Sequence, residues 1–110
     1  MIEEAMIYVL YCHSEPAFLK IGHTKTFKKR LSALQIGCPF KLTPMAIIPG
    51  TERDEKEIHE KLIFHRHTGE WFRCKKEVLD FFNINLDHWV KYYDYPEGDI
   101  SEPVLATPPA

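Results

Sequence analysis

The chain has 110 residues, 45% of them hydrophobic, and a formal net charge of −2. That length suits one domain with a real core, and Cys12, Cys38 and Cys74 are too few and too scattered for a disulfide framework. Residues 1–6 carry two acids and no cationic leader, and the apolar run at residues 5–12 is too short to span a bilayer. These features predict a soluble protein of a reducing compartment, cytoplasmic or, for a viral protein, intracellular in its host.

The run "AMIYVLYC" (residues 5–12) is apolar on both faces, which suits a central strand covered on both sides. His13-Ser14-Glu15-Pro16 is a turn. Residues 18–22 return as a second strand, making an antiparallel hairpin. Thr24 or Thr26 then caps a helix to about Gln35, with Phe27, Leu31 and Leu34 as its apolar stripe. Gly37 stands where a helix C-terminal glycine belongs.

Residues 42–48 read as a third strand, with Pro44 placing it at an edge or at its own start. Thr51 caps a second helix over residues 52–65, with Glu52 and Asp54 in its first turn. Thr68-Gly69 turns the chain into Glu70-Trp71-Phe72. Val78, Leu79 and Phe82 open a third helix, and Leu86, Trp89, Val90 and Tyr93 continue its pattern after a break at residues 83–85. The organisation is one folded domain over residues 1–93 and an acidic, proline-rich, disordered tail over residues 94–110.

Charge is unevenly spread. Residues 17–51 carry Lys20, Lys25, Lys28, Lys29, Arg30 and Lys41 and no Asp or Glu. Without Asp94, Glu97, Asp99 and Glu102 of the tail, 14 basic residues stand against 12 acidic ones. A single-sign surface of this kind attracts polyanions, although on charge alone a solvated helix face is the simpler account.

Further polar positions stand out. On the second helix, Glu55 and His59 share the inward stripe of Ile58 and Leu62. A buried carboxylate needs a partner or a metal, whereas one near a helix start is also tolerated by the dipole. Arg30 borders the stripe of the first helix, where it either snorkels or clamps a phosphate. Tyr8 interrupts the first apolar strand, and Lys20 lies in its neighbour. A desolvated Lys20 could move a proton; an outward one only solvates the sheet. His65 and His67 with Cys74 match no common zinc spacing.

In order, "MIY" (Met6 to Tyr8), "KIG" (Lys20 to Gly22), "FKKRL" with Arg30, "EKEIHEKL" with Glu55 and "GEWF" (Gly69 to Phe72) resemble the GIY-YIG nuclease superfamily. The likeness is to its small stand-alone phage, viral and bacterial domains and covers residues 6–82. It implies a small α/β (α+β) domain with a three-stranded antiparallel sheet flanked by helices. It implies metal-dependent endonuclease hydrolysis of DNA phosphodiesters with one Mg²⁺ or Mn²⁺ ion. By the same resemblance Glu55 is the metal ligand and Arg30 stabilises charge on the scissile phosphate. Tyr8 orients or deprotonates the attacking water or positions the phosphate.

The chain departs from the family pattern at two positions. Met6 replaces the glycine of the first motif, and Lys20 replaces the tyrosine of the second. Lys20 and His23 are both candidates for the general base, and His59 for an active-site polar group. Lys25, Lys28, Lys29 and Lys41 are the expected nucleic-acid contacts. DNA is the expected partner. RNA, a second copy of the chain or a protein partner stay open, and no membrane is expected. The alternatives in function are an inactive nucleic-acid-binding module of the same fold, or a small effector that binds a host protein.

Overall fold

The structure, a computed structural model, describes residues 5–85. The proposed continuation through Leu86, Trp89, Val90 and Tyr93 and the tail over 94–110 lie outside them. Strand β1 (Met6–Cys12) pairs antiparallel with β2 (Phe18–Thr24) on one side and with β3 (Leu42–Pro49) on the other. Helix α1 (Phe27–Ile36) joins β2 to β3, and α2 (Glu52–Lys61) follows β3. A 3-10 turn (Ile63–His65) leads to β4 (Arg66–Thr68), β5 (Trp71–Arg73) and α3 (Lys76–Phe81).

The α+β class is as expected, but the sheet has five strands, in the order β3-β1-β2-β5-β4, where three were predicted. The additional pair is a short hairpin around Gly69, whose φ of +56° suits a residue without a Cβ. Three residues per strand are too few for alternation to show in sequence. The pairing of Lys20 with Trp71 and of Phe18 with Arg73 draws this hairpin into the sheet.

β1 is the central strand of the sheet's long-stranded half, and alternation sends its side chains into two separate cores. Tyr8, Leu10 and Cys12 pack with Leu31 and Leu42 on the α1 side. Ile7 and Val9 pack with Ile21, Ile58, Leu62, Phe72 and Val78 on the side of α2 and α3. Phe72 therefore anchors the last helix, while Trp71 lies on the opposite face. β3 is an edge strand, consistent with its Pro44, and its register with β1 shifts between Val9 and Leu10.

The helix ends follow their local chemistry. Thr51 and Asp54 close a reciprocal capping box at α2, each side chain bonding the other's backbone N–H. α2 stops at Lys61 rather than 65, because the chain tightens into the 3-10 turn. α1 starts at Thr26 without a side-chain cap, and Thr24 Oγ1 instead accepts from the Thr26 N–H at 3.0 Å. Gly37 ends α1 with φ −87°, so no left-handed cap forms there. α3 does close on a left-handed residue, Asn83 at φ 56°. The Asn83 N–H donates to Asp80 O at 3.0 Å and the Ile84 N–H to Leu79 O at 2.9 Å, the paired bonds of a Schellman motif.

Two glycines then differ in what they tolerate. A Cβ on Gly22 would lie 2.5 Å from the Tyr8 hydroxyl oxygen and 2.6 Å from Tyr8 Cζ, whereas one on Gly37 meets nothing nearer than Leu34 O at 3.9 Å. Gly22→Ala is expected to cost about 1–3 kcal/mol in urea unfolding, as overpacking does. Gly37→Ala is expected to be neutral or to stabilise by up to about 1 kcal/mol through the unfolded chain.

Candidate active site

The chemistry-bearing residues meet where β1 and β2 pair near the start of β1. Tyr8 stands directly opposite Gly22 in the register, and its ring lies over the glycine. The ring also packs at 5.9 Å on Phe27 of α1. Tyr8 is fully buried, and its hydroxyl is a buried side-chain polar atom with no hydrogen-bond partner among the described residues. Burial pushes the phenol up from its ordinary pKa. The Arg30 guanidinium stands near enough to pull it back, without closing a hydrogen bond, and the charges of Glu70 and Glu55 push upward.

Lys20 is on the same face of β2 as Gly22, with its side chain only 12% exposed. Its Nζ is 3.1 Å from Glu70 Oε1 and 5.0 Å from the centre of the Trp71 ring. Glu70 is held in turn by its backbone, whose carbonyl accepts from the Ile21 N–H at 2.9 Å. A Cβ on Gly22 would also lie 2.9 Å from Glu70 Oε1. Lys20, Glu70, Tyr8 and Arg30 thus form one cluster on the α1 side. The place of Glu70 in this cluster was not anticipated, and the "GEWF" string was the signal for it.

The second cluster is on the α2 side of the same strand. One residue beyond Gly22, His23 points to the other face and bonds Glu55 through Nδ1 and Oε2. Glu55 is 7% exposed, so the inward stripe inferred for α2 is correct. His59, one turn later, donates from Nε2 to Ile21 O at 3.0 Å. That nitrogen is 3.7 Å from Glu55 Oε1, outside hydrogen-bonding distance. The His59 ring meets Phe72 edge-on at 4.9 Å. Glu55 is close enough to the first cluster for its charge to act on Tyr8.

The lysines divide. Lys25, Lys28 and Lys29 are exposed around the start of α1, beside Arg30. Lys41 precedes β3 at the far end of β1, where its backbone carbonyl accepts from His13, and is not brought to that group. His65 is 4.0 Å from Glu77, and His67 lies on the Phe18 ring at 4.7 Å. Among the described residues no group of three or more His, Cys, Asp or Glu is arranged to hold a metal. Nor is any helix there long and apolar enough to cross a membrane.

Residues 5–91 match the T5orf172 domain. The chain belongs to the T5orf172 domain family. That domain is associated with endonuclease-type proteins of phage, which gives this T5orf172 chain a nuclease-like theme. The match spans both clusters and both hydrophobic cores. No curated protein and no solved structure shows significant similarity to the chain.

The unpartnered Tyr8 hydroxyl contributes nothing to the fold that a hydrogen atom would not. Tyr8→Phe is therefore expected to change stability at neutral pH by less than about 1 kcal/mol. Because the folded-state pKa of Tyr8 is raised, the fold favours the neutral phenol. Its contribution is complete below the unfolded pKa of about 10 and is lost as pH rises through the folded value. Urea titrations above pH 10 should show the wild type losing more stability than Tyr8→Phe.

Proposed function

We propose that this T5orf172 domain is a metal-dependent endonuclease of the GIY-YIG type that hydrolyses phosphodiester bonds in DNA. The observation that carries the reading is the Tyr8 hydroxyl, buried, without a hydrogen-bond partner among the described residues, and beside the Arg30 guanidinium. A polar atom desolvated without compensation has no reason in folding, and a ligand oxygen held beside Arg30 supplies one.

The residues divide the work of cleavage. Arg30 and Lys20 balance the charge that builds on the phosphoryl oxygens. Lys20, ion-paired with Glu70, serves as a charge clamp rather than as a base. Tyr8 donates its O–H to the phosphate or to the attacking water. His23 spends its Nδ1–H on Glu55, which leaves Nε2 to accept a proton, the arrangement by which a carboxylate orients an imidazole base. His59 braces Glu55 from the other side and is tied to β2 through Ile21.

Among the described residues, the donor set suits Mg²⁺ or Mn²⁺ held by Glu55. Its Oε2 is committed to His23, while Oε1 has no hydrogen bond from His59. A hard cation of this kind takes one or two carboxylates, keeps several waters and takes substrate phosphate oxygens. When bound, it supplies Lewis acidity to the phosphoryl group. Lys25, Lys28 and Lys29 would bind flanking phosphates, contacts that carry no sequence information.

Cleavage of supercoiled plasmid tests this reading. Purified protein should nick it with Mg²⁺ or Mn²⁺ and not with EDTA. Arg30→Ala and Glu55→Ala should each lower the rate by about 10²-fold or more, with DNA binding retained. Absence of nicking by the wild type, with salt-sensitive binding intact, would replace the enzyme with a binding module of the same fold. The combined Lys28→Glu, Lys29→Glu variant should weaken duplex binding and lower the slope of log K against log salt by about 2.

A further inference from the structure

A cavity lies at the other end of β2 from the candidate active site. Its volume is about 580 Å³, and its walls include Tyr11, Phe18, His67, Arg73, Cys74 and Lys75. That volume is within the range of small-molecule sites. Phe18 and His67 stack with ring centres 4.7 Å apart and 33° between their planes, which makes one wall aromatic. Arg73 and Lys75 supply two cations, and among the described residues no carboxylate is in the lining. Glu15 acts on Tyr11 electrostatically but stands outside that lining.

The cations are not equally mobile. Arg73 Nη1 donates to Arg66 O at 3.0 Å, which fixes the guanidinium while leaving other N–H donors of the fork unspent. Lys75 is exposed, and it precedes α3 without any side-chain cap bond. A ligand that satisfies this lining needs a flat π-face for the ring wall and an anionic group within reach of Arg73 and Lys75. We infer that the cavity binds a nucleotide, with its base against Phe18 and His67 and its phosphate on Arg73 and Lys75. Base–aromatic stacking tolerates any base, so the site reads the presence of a nucleotide and not its identity.

The cavity also has a fixed relation to the candidate active site. Alternation puts Phe18, Lys20 and Gly22 on one face of β2, and Arg73 is the cross-strand partner of Phe18. Gly22 is four positions along the strand from Phe18, about 13 Å at 3.3 Å per residue. A strand crossing that face could seat an unpaired nucleotide in the cavity while a phosphate farther along it lies at Tyr8 and Arg30. Only this relation to a strand rests on the nuclease reading; nucleotide binding stands on the cavity itself.

The test is isothermal titration of the full chain with deoxyadenosine monophosphate, together with amide NMR shifts. The expected result is saturable binding with shifts at Phe18, Arg73, Cys74 and Lys75, weakened about tenfold in Lys75→Gln by loss of a charge-assisted contact. Phe18→Leu should weaken it through the ring wall, and Lys75→Gln covers the case in which that variant fails to fold. Glu55→Ala should keep mononucleotide binding while losing plasmid nicking, so failure of this inference and failure of the nuclease reading are separate readouts. A duplex with a one-nucleotide flap, bound more tightly than a blunt duplex by the wild type alone, would identify the source as an unpaired nucleotide of a strand. Equal binding of the two duplexes, with the mononucleotide still bound, would identify it as a free nucleotide. No pocket shifts at millimolar nucleotide would overturn the inference. So would inorganic phosphate or phenyl phosphate binding as tightly as the nucleotide, because the base would then contribute nothing.

Discussion

The contact between Tyr8 and Gly22 is the constraint on which the rest of this structure depends. It exists only in one register of β1 against β2, because the two residues stand directly opposite each other. A slip of one residue would turn every side chain of the strand to the other face. It would also put a Cβ where the ring now lies. The glycine thus sets how closely Tyr8 approaches the backbone, and the approach places the hydroxyl among Arg30, Lys20 and Glu70.

From that register the division of labour between the faces follows. Gly22 and His23 are neighbours in the chain, yet alternation sends one toward α1 and the other toward α2. The candidate site is therefore assembled from two half-sites on opposite faces of one strand, each next to its own hydrophobic core. The α1 half holds cations and a phenol. The α2 half holds a buried carboxylate between two imidazoles. An arrangement that brings charge of both signs to one strand matches a reaction needing an anion clamp and a proton acceptor together.

Much of this was readable residue by residue. The unbroken apolar run around Tyr8 pointed to a strand buried on both faces, and the proline of β3 pointed to an edge. The spacing of Glu55 from Ile58 and Leu62 put the carboxylate inward, where it is. The β4–β5 hairpin was not readable, because its strands are held by pairing to β2 and not by a pattern of their own. The end of α2 was misplaced by four residues, since apolar Ile63 and Phe64 prolong the helical pattern through what is a 3-10 turn. Lys41 shared a basic stretch with Lys25 but not a location, because β3 begins at the opposite end of β1.

Sequence by itself determined the local elements, the inward side of each helix and which residue types were available for chemistry. Those are properties of spacing, and spacing is set by 3.6 residues per helical turn and two per strand repeat. Only the tertiary structure decided partners: Glu70 for Lys20, His23 for Glu55, and, among the described residues, no hydrogen-bond partner for the Tyr8 hydroxyl. Each of these depends on how segments distant in the chain are juxtaposed. His23 and Glu55 are 32 positions apart, and no local pattern encodes a contact across that distance. The packing of α2 against β2 closes it, and only that packing makes a buried carboxylate and a half-buried histidine into a pair.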